Sequence, residues 1–159
     1  MIDQALQAML ARHPFVEAFE PVHVERLAAL ARPVTFERDH VVFHEGDECN
    51  DFFMITKGMV ALEVEEPGFT LRVQTLHAGD ELGWSALLMA SGKYFQARAL
   101  EHTEALAFDA PQLLEACRKD PAFGFAFLYR LLGVVAGRLQ STRLQVSDMY
   151  SLVAKRAGT

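Results

Sequence analysis

Residues 34–108 constrain the fold most strongly, because short apolar runs alternate there with turn-forming residues. Residues 69–75 place an apolar side chain at every second position, apart from a terminal Thr, as expected for a strand with one buried face. Turns rich in Gly, Asp and Glu separate the runs, for example residues 45–47 and residues 77–80. About seven short strands joined by such turns predict an antiparallel β sandwich or a jelly-roll barrel.

Helical patterns lie on both sides of this β region. Residues 1–33 predict two short helices, the first with Met9 on its apolar face and the second starting at Pro21, continuing through Ala31 and stopped by Arg32-Pro33. Residues 109–154 predict further helices, which begin with an Asp N-cap followed by Pro in the first turn. Within the β region the alternation fails at residues 85–89, where we expect one short helix. We therefore expect a single domain over the whole chain.

The last predicted helix carries a regular apolar seam. Its positions are spaced alternately four and three residues apart, which is the a/d pattern of a coiled coil sustained over more than three heptads. A helix of about 30 residues is roughly 45 Å long and exceeds the width of a small barrel. We therefore expect a homodimer interface, with packing onto the chain's own sheet as the alternative. The interface residues are Leu128, Leu132, Val135, Leu139, Thr142, Val146 and Met149, and Val153 continues the spacing.

Composition and charge exclude several classes of protein. The chain has 159 residues, of which 51% are hydrophobic, so it is too apolar to be disordered. Its net charge of −6, without a basic run, argues against a nucleic-acid-binding protein. The N terminus does not resemble a signal peptide, and Arg130 interrupts the apolar residues 123–135, so we predict a cytoplasmic chain that does not enter a membrane. Cys49 and Cys117 predict two free thiols.

Apolar and glycine-containing motifs follow one another along the β region in a characteristic order. They are Phe36, Val42, Glu45-Gly46-Asp47, Phe52-Phe53-Met54-Ile55, Lys57-Gly58-Met59-Val60, Leu76, Gly79-Asp80 and Leu82-Gly83. This order resembles the cyclic-nucleotide-binding domain family, the sensor module of catabolite-activator-type bacterial regulators, from about Phe15 to Tyr150. The resemblance implies a mainly β fold with α: an antiparallel β jelly roll (double-stranded β-helix) flanked by N-terminal helices and a long C-terminal helix.

The resemblance also implies where a ligand binds. In that family a strand, a glycine turn, a short helix and a return strand form a phosphate-binding cassette. Backbone N–H groups at the start of the short helix then face the cyclic phosphate, as helix N-termini favour anions. The implied ligand contacts here are Leu82, Gly83, Trp84, Ser85, Ala86, Lys93 and Tyr94, together with Thr142 and Arg143 of the long helix. The alternative for Arg143 is a solvated charge on the helix surface.

Three residues of the cassette depart from the family pattern. Trp84 stands where the family has a ribose-binding Glu, and an indole has one donor and no acceptor. Lys93 stands about where the phosphate-binding Arg belongs; it keeps the positive charge but lacks the planar fork of donors. Tyr94 replaces a small residue and is large enough to fill the space of a nucleotide. Arg98 follows later and would need a rearranged loop to reach a phosphate.

These departures leave two functions open. We predict a regulatory sensor without a further cofactor, which binds a cyclic nucleotide or another small anion and signals through the dimer helix to an unknown protein partner. A ligand-free interaction module, with its pocket filled by Trp84 and Tyr94, is the alternative. Activators of this family continue into a winged helix-turn-helix, whereas this chain ends about ten residues after Met149, so we expect no direct DNA contact.

Metal binding and catalysis find little support in the sequence. His40 and His44 are four positions apart in a strand region, and His77 lies in a turn. A cupin metal site needs an H-x-H motif followed by Glu, which this chain does not have, so we predict no metal site. Ser85 lacks the G-x-S-x-G setting of a nucleophile elbow, and no nucleophile–base pair is evident, so we predict that the chain is not an enzyme.

Overall fold

The computed structural model describes residues 3–88 and 95–158. The α-helices in these residues are α1 (Gln4–Ala11), α2 (Pro21–Ala28), α3 (Ser85–Leu88), α4 (Ala110–Lys119) and α5 (Pro121–Ala157), and a 3-10 turn lies at Pro14–Val16. The strands are β1 (Ala31–Phe36), β2 (Val41–Phe43), β3 (Asp51–Lys57), β4 (Met59–Glu66), β5 (Phe69–His77), β6 (Glu81–Leu82), β7 (Gln96–Ala99) and β8 (Thr103–Asp109). The chain divides into two compact units, residues 1–126 and residues 127–159.

The strands of the first unit form two four-stranded antiparallel sheets. Their orders are β1-β8-β3-β6 and β2-β7-β4-β5. A single apolar cluster draws residues from both sheets, and these residues are Phe43, Phe53, Ile55, Val60, Leu62, Leu76, Leu82, Ala97, Ala105 and Ala107. This architecture confirms the predicted antiparallel jelly roll with flanking helices.

Strand β3 is buried on both faces. Phe53 and Ile55 belong to the cluster between the sheets, whereas Phe52 and Met54 point to the opposite face. The ring of Phe15, in the 3-10 turn, packs on that outer face, with its centroid 5.9 Å from that of Phe52. Because both faces are covered, the strand is an uninterrupted apolar run instead of an alternating one.

A buried histidine joins the N-terminal segment to this strand. The Nδ1 atom of His13 accepts a hydrogen bond from the amide of Phe15 at 3.1 Å. The proton therefore lies on Nε2, which donates to the carbonyl of Ile55 at 3.2 Å. Both ring nitrogens of this neutral histidine are used, which fixes the position of the 3-10 turn against β3.

The structure corrects three details of the predicted elements. Helix α2 ends at Ala28, and Ala31 already belongs to β1, where it pairs with Phe108. Pro33 is accommodated within β1 because this is an edge strand, where one side of the backbone needs no partner. Met9 is exposed, so it does not share the packed face of α1. Helix α5 has 37 residues and is therefore about 55 Å long.

Gly58 allows a close approach between the β3–β4 turn and β8. Its φ is +101°, and a Cβ atom there would lie 2.5 Å from Oγ1 of Thr103 and 2.6 Å from the carbonyl oxygen of His102. The Thr103 side chain is buried, and its hydroxyl hydrogen-bonds to the backbone of Met59. Gly68 has a similar φ of +86°, but a Cβ atom there would meet nothing within 4 Å.

We predict that Gly58→Ala lowers the free energy of unfolding much more than Gly68→Ala does. Both variants force a side chain into the left-handed region, at a cost of about 1 kcal/mol. Only Gly58→Ala adds a steric overlap with backbone, for a total of about 3 kcal/mol. Urea denaturation followed by circular dichroism measures both values, and equal losses in the two variants would contradict the prediction.

Candidate ligand-binding site

The predicted cassette begins where β6 ends. Leu82 pairs with Phe53 of β3 and belongs to the apolar cluster between the sheets. Gly83 follows with a φ of +83°, and a Cβ atom there would lie 2.7 Å from the carbonyl oxygen of Asp51. The close passage of β3 therefore requires glycine at this position, whether or not a ligand binds beside it.

Helix α3 continues the cassette as a single short turn. The amide of Ala86 donates to the carbonyl of Gly83, and the amide of Leu87 donates to the carbonyl of Trp84, each at 3.0 Å. These two amides are used inside the turn, and the predicted contact of helix-start amides with a phosphate stays a prediction. Residues 84–86 are half-buried. The Trp84 ring is therefore neither fully enclosed nor fully exposed.

The sequence predicts four further contacts for this site: Lys93, Tyr94, Thr142 and Arg143. Lys93 and Tyr94 lie outside the described residues, and their roles stay predictions. Thr142 and Arg143 are exposed residues of α5 in the second unit. The hydroxyl of Thr142 donates to the carbonyl of Arg138 at 3.0 Å, one helical turn earlier, so its oxygen is left to act as an acceptor.

Arg98 is held in a polar cluster that the sequence analysis did not identify. Its guanidinium binds Glu63 through two bonds, from Nε to Oε1 at 3.0 Å and from Nη2 to Oε2 at 2.9 Å. A third bond runs from Nη1 to Asp39 at 2.9 Å. Gln96, the cross-strand partner of Glu63, donates to Oε1 of Glu63 at 3.1 Å. The guanidinium of Arg98 is thus engaged by Glu63 and Asp39 in this structure.

Burial and charge act together in this cluster. The side chain of Glu63 is only 4% exposed, and that of Arg98 is 28% exposed. The hydrogen bonds from Arg98 hold the pKa of Glu63 below its ordinary value, against an opposing effect of burial, and Gln96 adds to the lowering. The pKa of Arg98 is raised, chiefly by its hydrogen bonds to Glu63. The two groups therefore stabilise each other's charged forms.

The sequence gives one weak indication of the cluster around Glu63 and Arg98. Glu63 is the one carboxylate inside the apolar run of residues 59–64, which is unusual for a central strand. Its partners cannot be read from local spacing, since Arg98 lies 35 positions further along the chain. The pairing of β4 with β7 brings them together.

Histidine residues occur in two turns with the same hydrogen bonds. The amide of His44 donates to Asp47, and the amide of His77 donates to Asp80, each at 2.8 Å. The aspartates therefore shape the turns, as the sequence predicted for Asp47. Over residues 3–88 and 95–158, no three His, Cys, Asp or Glu side chains approach closely enough to hold a metal ion.

The two cysteines are free thiols, as predicted. Cys49 packs at the edge of the apolar cluster, and Cys117 is buried in α4. Burial raises the pKa of the Cys117 thiol, which keeps it in its unreactive neutral form.

Helix α5 exposes the predicted seam along its length. Leu139 is 62% exposed, and the seam positions on either side are also exposed, apart from the half-buried Val135. Isolated apolar side chains are common on protein surfaces, but a row with heptad spacing is typical of a helix that pairs.

The same helix is apolar enough to meet a length and hydropathy criterion for crossing a membrane. An 18-residue window within it has a mean hydropathy of 1.4 and at most two charged residues. Arg130 interrupts the apolar run without lowering this average below the criterion. Only length and composition enter such a criterion, whereas the heptad spacing accounts for the positions of the apolar seam residues.

The two packed sheets, the glycine turn after β6 and the short helix α3 are the elements predicted for a cyclic-nucleotide-binding domain. Residues 33–120 match the family described as "Cyclic nucleotide-binding domain". This chain belongs to that family. The family is regulatory in character.

Curated relatives and solved structures agree with this assignment. The chain is 24% identical over 145 residues to the CRP-like cAMP-activated global transcriptional regulator of Mycobacterium tuberculosis. The match covers 91% of this chain but only 63% of that regulator's length.

Among solved structures, a cyclic nucleotide-binding domain from Methylobacillus flagellatus has a TM-score of 0.83 at 18% identity, covering 91% of this chain and 85% of that one. The catabolite activator protein of Thermus thermophilus has a TM-score of 0.72 at 22% identity, covering 86% of this chain and 63% of that one. At such identities the likeness shows the fold.

We predict that Glu63→Gln lowers the free energy of unfolding by about 2 kcal/mol near neutral pH, because Arg98 then lacks its charged partner. The pKa of Glu63 is lower in the folded chain than its ordinary value of 4.5. The ion pair therefore stabilises the fold above pH 4.5, and this contribution is lost as the pH falls through the folded pKa. The variant should lose less stability on acidification than the parent.

Chemical denaturation at a series of pH values measures this difference. Glu66→Gln is the matched control, because it removes an exposed carboxylate from the same strand. It should leave the stability near neutral pH unchanged. If the free energies of unfolding of the parent and of Glu63→Gln fall in parallel as the pH is lowered, the proposed linkage is ruled out.

Proposed function

We propose that this chain is a regulatory sensor that binds a small anionic ligand, such as a cyclic nucleotide, beside Gly83. We further propose that it forms a homodimer through α5 and signals to a protein partner. The observation that carries the proposal is the β6–glycine–α3 cassette inside a chain whose family is established. The mycobacterial relative is described as cAMP-activated, which makes cyclic AMP the first ligand to test.

The chemistry of the cassette indicates how such a ligand would bind. Small residues, Gly83, Ser85 and Ala86, let an anion approach the backbone. Lys93 supplies a positive charge in the cassette, since Arg98 is bound to Glu63. A lysine attracts phosphate as a point charge and gives less geometric selectivity than an arginine.

The ribose of a cyclic nucleotide would be recognised differently here than in other members of the family. Trp84 cannot accept a hydrogen bond from a ribose hydroxyl. We therefore infer that the cassette distinguishes ribose from other substituents weakly. An anionic molecule without ribose, held at Lys93, is compatible with the same residues.

A ligand at α3 can influence α5 through α4. Helices α3 and α4 are neighbours, and Asp120 alone separates the end of α4 at Lys119 from the start of α5 at Pro121. The carboxylate of Asp120 accepts from the amide of Phe123 at 3.3 Å and pairs with Arg26 at 3.2 Å. We infer that a shift of α3 changes the angle at this junction, so that the ligand favours one arrangement of the helix pair.

The ligand-free interaction module is the second candidate function. The engagement of Arg98 by Glu63 favours it, because this arginine is withdrawn from any phosphate. The half-buried Trp84 is also compatible with a pocket that no longer admits a nucleotide. Titration separates the two functions.

We predict that isothermal titration with cyclic AMP or cyclic GMP gives a measurable binding heat. Lys93→Ala should weaken binding about tenfold, because a charge-assisted hydrogen bond is lost. Lys57→Ala removes an exposed lysine at the end of β3 and should leave binding unchanged. No heat and no thermal shift at millimolar nucleotide would favour the ligand-free module.

We predict that the chain sediments at twice its mass of 17.8 kDa and that Leu139→Asp returns it to the monomer mass. Leu139 lies in the seam, where a buried carboxylate is costly. Leu144 is the control, since it is exposed to a similar extent, 60% against 62%, but lies outside the seam. Leu144→Asp should leave the dimer intact. A parent chain that sediments at 17.8 kDa at high concentration contradicts the dimer.

A further inference from the structure

Charge is distributed unevenly along this chain. Residues 127–159 carry a net charge of +4 within a chain whose net charge is −6, so the preceding residues carry −10. The charged residues of this segment are Arg130, Arg138, Arg143, Lys155 and Arg156, with Asp148 as the single acid. Two such helices in a dimer would repel one another, so an interaction with anions would favour their association.

The heptad positions concentrate this charge at one layer. With Leu139 at an a position and Thr142 at the following d position, Arg138 occupies g and Arg143 occupies the next e. In a parallel, in-register pair of helices, a g residue lies beside the e residue five positions further along the other helix. Arg138 of one copy therefore faces Arg143 of the second copy, on both sides of the two-fold axis.

This layer differs from the rest of the seam. The other e and g residues from 129 to 152 are uncharged, so no acid at these positions balances the arginines. Thr142, the one polar seam residue, lies in the same layer, and Arg143 is exposed. Arg138 also makes an interaction within its own chain, and its positive charge still faces Arg143 of the second copy.

We propose that the layer around Thr142 is a binding site for a phosphate-bearing anion, formed by Arg138 and Arg143 of both copies. The inference rests on the α5 homodimer proposed above, because neither chain alone supplies the full set of guanidinium groups. Guanidinium groups bind phosphate oxygens through paired hydrogen bonds. An anion that binds only the dimer strengthens dimerisation in proportion to its concentration. This site is separate from the cassette around Lys93.

The test compares dimer strength in two salts with the full chain. Sedimentation equilibrium gives the dimer dissociation constant in sodium chloride and in sodium phosphate at equal ionic strength and pH. We expect phosphate to lower this constant about tenfold, the effect of one bound anion at about ten times its own Kd. Inorganic phosphate contains no base or ribose, so a nucleotide contact of Arg143 does not contribute.

Two charge-reversal variants locate the effect. Arg143→Glu places a carboxylate beside Arg138 of the second copy, so the dimer should be tight in chloride and gain nothing from phosphate. Lys155→Glu makes the same change of charge at an exposed position outside the seam and outside the e and g positions. It should keep the response to phosphate.

Each contrary outcome has a distinct meaning. A chain that stays monomeric in both salts, also as Arg143→Glu, overturns the dimer itself. A dimer of equal strength in chloride and phosphate leaves the dimer standing and overturns the anion site. A response to phosphate that persists in Arg143→Glu overturns its assignment to the Thr142 layer.

Discussion

The two-sided burial of β3 is the constraint on which the rest of the first unit depends. One face of the strand forms part of the core between the sheets, and the other packs beneath the N-terminal segment. The carbonyl of Ile55 accepts from both His13 and the amide of Gly79, so one peptide group joins the N-terminal segment to the turn before the cassette. At the start of the same strand, the carbonyl of Asp51 excludes any side chain at Gly83. The cassette is thus positioned by backbone that is itself buried.

This dependence explains why the family resemblance is clear although the predicted contact residues depart from the family. Leu82 and Gly83 are required by packing against β3, so they persist with the fold whatever the pocket contains. The departures from the family pattern are at Trp84, Lys93 and Tyr94. Packing against β3 therefore accounts for Leu82 and Gly83, whereas ligand selection by Trp84, Lys93 and Tyr94 stays a prediction.

The same distinction shows how far the sequence could predict the structure. Alternating strands, glycine turns and the helix seam depend on spacing along the chain, and the predicted jelly roll agrees with the structure. The Glu63–Arg98 ion pair could not be predicted, because it depends on which strands are neighbours in a sheet. Pro33 was misinterpreted for a related reason. The local sequence pattern predicts that it ends a helix, whereas in the structure it lies in an edge strand, which tolerates proline. Local sequence patterns predict helices and strands, and these predictions fail where pairing with a strand distant in sequence determines the structure.

The ion pair also determines where an anion can find positive charge. Releasing Arg98 would leave Glu63 buried without its charged partner, at a cost of about 3–5 kcal/mol. A charge-assisted hydrogen bond to a phosphate would return only about 1.5–3 kcal/mol. The exchange is therefore unfavourable, and Arg98 stays with Glu63 even when an anion is nearby. The anionic ligand proposed above would then be neutralised by residues outside the sheet, which is consistent with the roles proposed for Lys93 in the cassette and for the arginines of α5.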